Sequence, residues 1–340
     1  MIEPGTWSAA MGEAIELAQS PDAPHGENPR VGCVIVDESG SVVGRGYHRG
    51  AGTPHAEVMA LRDAGEHARG ATAVVTLEPC SHTGRTGPCT EALLAAGVAR
   101  VVFAQTDPTS QAGGGAELLR AAGLDVIGGV RSDDAAMFNT AWTFAVRIGR
   151  PMVTWKSAVS LDGRVAGPDG GPTPLTGAAA RLQVHQLRAD VDAIVVGTGT
   201  VLIDDPALTV RIAGHSVSPA PLRVVVGSRP IPADARVLDD SAPTLVIDEP
   251  DPAALLGGLY SRGIRHVLLE GGPTLAAAFL SAHVIDRIEW YVAPVLLGSG
   301  PVALPGMGSD PQVGVDVIDV SVVGEDVRIV GSVRYEGSEA

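Results

Sequence analysis

Pro54-His55-Ala56-Glu57, with the later run Glu78-Pro79-Cys80-Ser81-His82-Thr83-Gly84-Arg85-Thr86-Gly87-Pro88-Cys89, decides how this chain is read. Zinc favours imidazole nitrogen and thiolate sulfur, and a catalytic zinc keeps three protein ligands so that water can take the fourth place. His55, Cys80 and Cys89 make up such a set. Two thiolates and a neutral imidazole leave the ion electrophilic enough to draw the pKa of its water towards neutrality. Glu57, two residues after the histidine, is placed to take that proton and pass it on as a general acid–base.

Eight residues separate the cysteines, Ser81 to Pro88, and they carry His82, Arg85 and Thr86. A polar, basic loop over a metal suits a substrate with a phosphate tail. Two other readings of the same residues stay open here. His82 as a fourth ligand would close the shell into a structural site, although a closed site has no use for Glu57. The cysteines could also be ordinary buried thiols, but the chain has only three and two fall in this motif.

The whole chain sets the frame. A length of 340 residues fits two domains at ~150 residues each. Apolar residues make up 45% and aromatics 4%, so the cores must be built from Val, Leu, Ile and Ala. Residues 1–8 show no basic residue ahead of an apolar run, so no signal peptide is expected. No stretch approaches the ~18 apolar residues of a membrane span. Three cysteines make no disulfide framework, and thiolates kept for metal point to a reducing cytoplasm. A formal charge of −15 argues against long nucleic acids, which need a basic footprint. A small phosphorylated substrate needs only local charge, for which Arg85, Lys156, Arg188 and Arg211 are candidates.

Residues 6–19 place Trp7, Met11, Ile15 and Ala18 at helical spacing. Strands are expected at 31–36, 42–47, 71–77, 100–105 and 125–127, with helices at 55–67, 89–96 and 116–121. That alternation argues for a three-layer α/β sandwich, with the metal ligands at two helix starts and one strand end. One helix is expected over 133–148, and the domain boundary falls at Gly149-Arg150-Pro151, giving 1–148 and 149–340.

Zinc nucleobase deaminases use a His-x-Glu with a Pro-Cys layout and keep the Glu outside the metal shell. With Asn28-Pro29-x-Val31-Gly32 and Gly46-x-His48-x-Gly50, the two runs resemble the deaminase half of the bifunctional deaminase–reductases of riboflavin biosynthesis. Gly87 departs from that family, which usually has Pro there. The second half extends the resemblance. Lys156-x-x-x-Ser160-Leu161-Asp162-Gly163, Leu187-Arg188, Val196-Gly197-x-Gly199-Thr200-Val201, Asp204-Asp205-Pro206-x-Leu208-Thr209-x-Arg211 and Glu270-Gly271-Gly272-Pro273-Thr274 occur in the family's order. Pro172-Thr173-Pro174-Leu175-Thr176 departs from it, where the family often has Ser-x-Trp-Ile-Thr. A Trp contact to the cofactor is therefore absent.

The resemblance implies a cytidine-deaminase-like sandwich followed by a dihydrofolate-reductase-like α/β domain. It implies a zinc-dependent pyrimidine deaminase and an NADPH-dependent reductase acting on a small phosphorylated pyrimidine, in a homodimer or homotetramer. On the deaminase side, Asn28 and His48 would face the base, and His82 and Arg85 the phosphate. On the reductase side, Ala158, Thr200, Asp204, Ser228, Gly272, Pro273, Thr274, Leu275, Ala276, Ala277 and Ala278 would face the cofactor. Arg188, Ala207, Arg211 and Glu270 would face the substrate, and Lys156 would place a charge near the reacting ribose. Two rival readings are a single-function base or tRNA deaminase with an unrelated second domain and a structural-zinc binding module. NADPH binding by the second half excludes the first; an open coordination position excludes the second.

Overall fold

The computed structural model describes residues 6–23, 26–82, 87–109, 113–212, 215–216, 219–249, 251–305 and 313–335. The chain divides into two compact units, residues 1–148 and 149–340. No helix among the described residues is long and apolar enough to cross a membrane.

The first unit runs α1 (Thr6–Ala18), β1 (Gly32–Val36), β2 (Val42–Tyr47), α2 (Ala56–Ala64), β3 (Thr72–Leu77), α3 (Cys89–Ala96), β4 (Arg100–Gln105), α4 (Gly115–Ala121), β5 (Asp125–Ile127), α5 (Ser132–Phe138) and α6 (Thr140–Ile148). Its sheet has the order β2-β1-β3-β4-β5. β1 is antiparallel to β2 and β3, and β3, β4 and β5 are parallel. Both faces are buried, so the strands read as continuous apolar runs instead of alternating ones. Ala60 of α2, Leu93 of α3 and Leu119 of α4 pack on one face with Val75 and Phe103. Met11 and Ile15 of α1 and Ala135 of α5 pack on the other with Val74 and Val102. This is the expected three-layer sandwich. α2 lies close on β2 because Gly44 and Gly46 lack side chains; a Cβ at either would run into α2 backbone oxygens of Ala60 or Ala56. That contact fixes the helix that carries the metal-site residues.

The single helix expected over 133–148 is two helices. Asn139 breaks it, because its side-chain amide is committed elsewhere. Its Oδ1 accepts from the Arg30 N–H at 2.9 Å and its Nδ2 donates to the Arg30 carbonyl at 2.9 Å, in a buried position.

The second unit continues with β6 (Met152–Ser160), α7 (Ala178–Ala189), β7 (Ala193–Gly197), α8 (Thr198–Asp204), β8 (Arg211–Ile212), β9 (His215–Ser216), β10 (Leu222–Val226), β11 (Thr244–Ile247), α9 (Pro252–Tyr260), β12 (His266–Leu269), α10 (Pro273–Ser281), β13 (Arg287–Ala293), β14 (Gly314–Val323) and β15 (Asp326–Arg334). The main sheet has the order β11-β10-β7-β12-β6-β13-β15-β14. Its first six strands are parallel, and β15 and β14 add an antiparallel edge. α9 and α10 cover one face through Leu256, Leu259 and Phe279. α7 and α8 cover the other, with Val184 on Tyr291 and Val201 on Ile194 and Val196. Residues 198–204, directly after β7, form α8. Pro252–Tyr260 is a helix, with Asp251 capping it by accepting from the N–H groups of Ala253 and Ala254.

Candidate active sites

In the first unit the metal-type ligands come from three element ends. His55 is the residue before α2, Cys80 follows β3, and Cys89 opens α3 after Pro88. His55 Nδ1 lies 3.1 Å from Cys89 Sγ and 3.5 Å from Cys80 Sγ. The three ligand atoms fall within 4.8 Å of one another. One nitrogen and two sulfurs at that spacing fit a tetrahedral zinc with one position left over. The Cys89 N–H donates to Cys80 Sγ at 3.4 Å, so the start of α3 already favours a thiolate there. The Cys80 thiol is held down to about 4, first by its hydrogen bond with Cys89 and further by His55. The Cys89 thiol is pushed up by the same hydrogen bond and by burial. The His55 imidazole is raised, chiefly by its bond to Cys80.

A pocket of 280 Å³ opens on His55 and Cys80, and Glu57, Asn28, His48 and His82 also line it. Glu57 stands in the first turn of α2, 4% exposed, and burial pushes its carboxyl up. A carboxyl poised upward is suited to shuttling a proton near neutral pH. His48 Nδ1 lies 3.3 Å from the Pro54 carbonyl, which can only accept, so that nitrogen carries the proton. Nε2 must then accept, and Asn28 Nδ2 donates to it at 3.0 Å. The Asn28 amide is thereby oriented, with its oxygen left as an acceptor on the pocket. Burial lowers the His48 pKa, which keeps the ring neutral. His82 is exposed at the rim. Arg85 and Thr86 lie outside the described residues.

Asp107 and Glu78 also line this pocket and were given no role from sequence. Glu78 is buried and accepts from the N–H groups of Ala116 and Asp107, tying the ends of β3 and β4 to the start of α4. Asp107 accepts from the Thr109 N–H and hydroxyl, and burial raises its carboxyl. The signal for both was position, immediately beyond the carboxyl ends of parallel strands, where open α/β sheets bind ligands.

The second unit holds a cavity of 580 Å³ at the carboxyl ends of β6, β7, β10 and β12. Lys156, Ala158, Thr200, Asp204, Glu270, Gly272, Pro273, Thr274, Leu275, Ala276 and Ala278 line it. Ser228 and Ala277 are not among the lining residues, although their neighbours are. Thr173 lines the wall where the family pattern departs; Pro172 and Pro174 do not. Arg188, in the last turn of α7, reaches Glu270 through two bonds, Nε to Oε1 at 2.6 Å and Nη2 to Oε2 at 2.9 Å. Burial alone would raise the Glu270 carboxyl, but Arg188 outweighs it and the pKa is lowered. Burial lowers the Lys156 ammonium, opposed by Glu270 and reinforced by Arg188. Arg211 opens β8 away from the lining, and its N–H donates to His185 Nδ1 at 3.2 Å. The Ala207 carbonyl accepts from Arg223. The Gly272 N–H donates to Thr200 Oγ1 at 3.1 Å, which ties the starts of α8 and α10. The N-terminus of α10 faces the cavity and favours a phosphate group there. A cavity of this volume with a glycine-bearing helix start in its wall fits a dinucleotide.

Residues 6–105 match the cytidine and deoxycytidylate deaminase zinc-binding region, and residues 151–329 match the RibD C-terminal domain. A riboflavin biosynthesis protein RibD of Mycobacterium tuberculosis is 52% identical over 301 residues, 88% of each chain. That of Escherichia coli is 43% identical over 334 residues, covering 87% of this chain and 91% of the other. The chain belongs to the RibD family. The solved structure of Acinetobacter baumannii RibD superposes with a TM-score of 0.88 at 37% identity, covering 98% of this chain and 100% of that one. A deaminase/reductase structure from Thermotoga maritima gives 0.85 at 30% identity, covering 97% and 99%. The fold is thus a cytidine-deaminase-like sandwich with a RibD reductase domain after it. As a RibD protein it is a bifunctional deaminase and reductase of riboflavin biosynthesis. Its deaminase domain is of a zinc-binding type, and its reductase domain is of a type that takes a nicotinamide cofactor.

Proposed function

We propose that the first unit, residues 1–148, hydrolyses the exocyclic 2-amino group of 2,5-diamino-6-(5-phosphoribosylamino)pyrimidin-4-one. The second, residues 149–340, then reduces the ribosyl group of 5-amino-6-(5-phosphoribosylamino)uracil to ribityl, with NADPH as the donor. The observation that carries this reading is the cluster of His55, Cys80 and Cys89, two of which line one pocket with the buried carboxyl of Glu57.

His55, Cys80 and Cys89 would hold zinc, which supplies Lewis acidity that makes water nucleophilic near neutral pH. Glu57 would take one proton from the attacking water and give it to the ring nitrogen, then take the second from the new carbon-bound hydroxyl and give it to the departing amine. The carbon–nitrogen bond breaks and ammonia leaves. The Asn28 oxygen accepts from the base edge, and His48 holds that amide in place. His82 and Arg85 take the phosphate.

In the second unit, hydride transfer is the cofactor's chemistry, and the chain positions the partners. Ala158, Thr200, Asp204, Ser228 and residues 272–278 would face the cofactor. Lys156 and Glu270 stand at the reacting end, with Arg188, Ala207 and Arg211 towards the substrate. We place the protein in the cytoplasm as a homo-oligomer. Support for the second copy comes from β14, an edge strand with Val317, Ile318, Val320 and Val322 exposed. Such an edge is a template for pairing with another chain.

The test offers the diaminopyrimidinone phosphate to the zinc-loaded chain with and without NADPH. Ammonia should appear in both cases, and NADPH should be consumed only after ammonia is released. NADPH consumption with no ammonia, or no turnover of either kind, refutes the reading.

A further inference from the structure

The cavity of the second unit has two charged ends. Lys156 and Glu270 mark one. The other carries Arg229, just beyond β10, and Glu249, just beyond β11. Among the described lining residues, Lys156 and Arg229 are the only lysine or arginine side chains. Lys156 already faces Glu270 and Arg188. Arg229 has no hydrogen bond or ion pair among the described residues and belongs to an exposed turn.

Its position is nevertheless built. Arg229 Nη2 lies 2.5 Å from where a Cβ of Gly199 would stand, so the guanidinium rests against the first turn of α8. The turn that brings it there needs a second glycine. Gly227 has φ +125°, and a Cβ on it would stand 2.9 Å from Thr198 Oγ1. Arg229 thus lies on the first turn of α8 and lines the cavity.

We propose that Arg229 is the residue that reads the 2′-phosphate of NADPH and so sets the preference for NADPH over NADH. This rests on the reading of the second unit as an NADPH-dependent reductase. With nicotinamide at the Lys156–Glu270 end and pyrophosphate at the start of α10, the adenosine ribose falls to the Arg229–Glu249 end. A planar guanidinium matches a phosphate with two parallel bonds, and a 2′-hydroxyl gives it much less. Glu249, whose Oε1 accepts from the Asp251 N–H at 3.0 Å, sets the opposite sign on the same rim. It favours a hydroxyl and opposes a phosphate, which leaves Arg229 to decide the outcome.

The experiment measures binding, by calorimetry on the zinc-loaded full chain, of NADP⁺, NAD⁺ and adenosine 2′,5′-bisphosphate. In the native chain NADP⁺ should bind more tightly than NAD⁺. Arg229→Ala should weaken NADP⁺ and the bisphosphate by about 10- to 100-fold, the loss of a charged hydrogen-bond pair, with NAD⁺ within about twofold. Gly199→Ala should move the same preference in the same direction by displacing the guanidinium. Glu249→Gln should tighten NADP⁺. Salt should weaken NADP⁺ binding more steeply in the native chain than in Arg229→Ala. Equal losses for NADP⁺ and NAD⁺ in Arg229→Ala, or an unchanged ratio, overturn the assignment. Equal affinity for both nucleotides in the native chain overturns the NADPH reading instead, so the two failures are distinct.

Discussion

Arg188→Met isolates the ion pair at the reacting end of the second cavity. Arg188 and Glu270 side chains are 16% and 9% exposed, and two parallel bonds join them. A third bond runs from Arg188 Nη1 to the Thr209 carbonyl at 3.2 Å. Removing one partner of a buried pair strands the other charge and costs ~3–5 kcal/mol. Lys156 also faces Glu270 and takes up part of the loss, so the lower end, about 3 kcal/mol, is expected. At ~2–4 °C per kcal/mol for a unit of this size, the second unit should melt about 6–12 °C lower by scanning calorimetry. Arg188→Met with Glu270→Met removes the stranded carboxylate and should recover part of that shift, the rest being held back because Lys156 then loses its facing charge.

The pH dependence carries the sign. In the native chain Glu270 is held below the usual glutamate range because Arg188 outweighs burial. The pair's contribution is therefore complete above that range and is lost as pH falls through the lowered folded value. In Arg188→Met burial acts with less opposition, so the carboxyl rises and the deficit against the native chain should shrink on acidification. A Tm change under about 2 °C, a double variant that loses the sum of the two single effects, or a deficit that grows on acidification would refute the reasoning.

Glu57→Gln should keep zinc, measured by metal analysis, and lose ammonia release by roughly 10²-fold or more; zinc loss or near-native deamination contradicts the role given to Glu57. Cys80→Ser should lose zinc and ammonia release yet still reduce separately supplied 5-amino-6-(5-phosphoribosylamino)uracil, once circular dichroism shows it folded; a folded protein that cannot do so means the two halves share a site. Gly115→Ala should destabilise the first unit by roughly 1–3 kcal/mol and loosen zinc retention, since the new Cβ overlaps the Pro79 carbonyl next to Cys80; unchanged melting and zinc content would show that α4 does not brace the site. Val320→Lys should shift the protein towards monomer in light scattering, whereas an unchanged mass removes β14 as the interface.

The zinc-type centre was legible because each part of it is local. His55 and Glu57 open one helix, and Cys80 and Cys89 flank one loop, so spacing alone announces them. The sandwich was legible because strands buried on both faces read as unbroken Val, Ile and Ala runs. α9 was also written in the sequence: Asp251-Pro252-Ala253-Ala254 is an acidic cap with proline at the first helical position, a helix start signal. The break at Asn139 was not legible, because what it costs in helix is repaid by Arg30, more than a hundred residues upstream.

The glycines of Gly197-Thr198-Gly199 show the same limit in a sharper form. From sequence, a glycine after a strand invites the reading that backbone must approach a ligand. In the structure Gly199 lies inside α8, and its missing Cβ is filled by a guanidinium from another strand's end. Gly271 likewise faces the Leu275 side chain of its own helix start. Glycine reports that something must come close, and spacing along the chain cannot say whether that is a ligand or a distant residue. Residue type fixed the chemistry available at each strand end, but only the sheet order β11-β10-β7-β12-β6 lines those ends up as the wall of one cavity. That is why Lys156 and Glu270 could be named beforehand and Arg229 could not. The first two sit in motifs, and the third acquires its place only when β10 is laid beside β7.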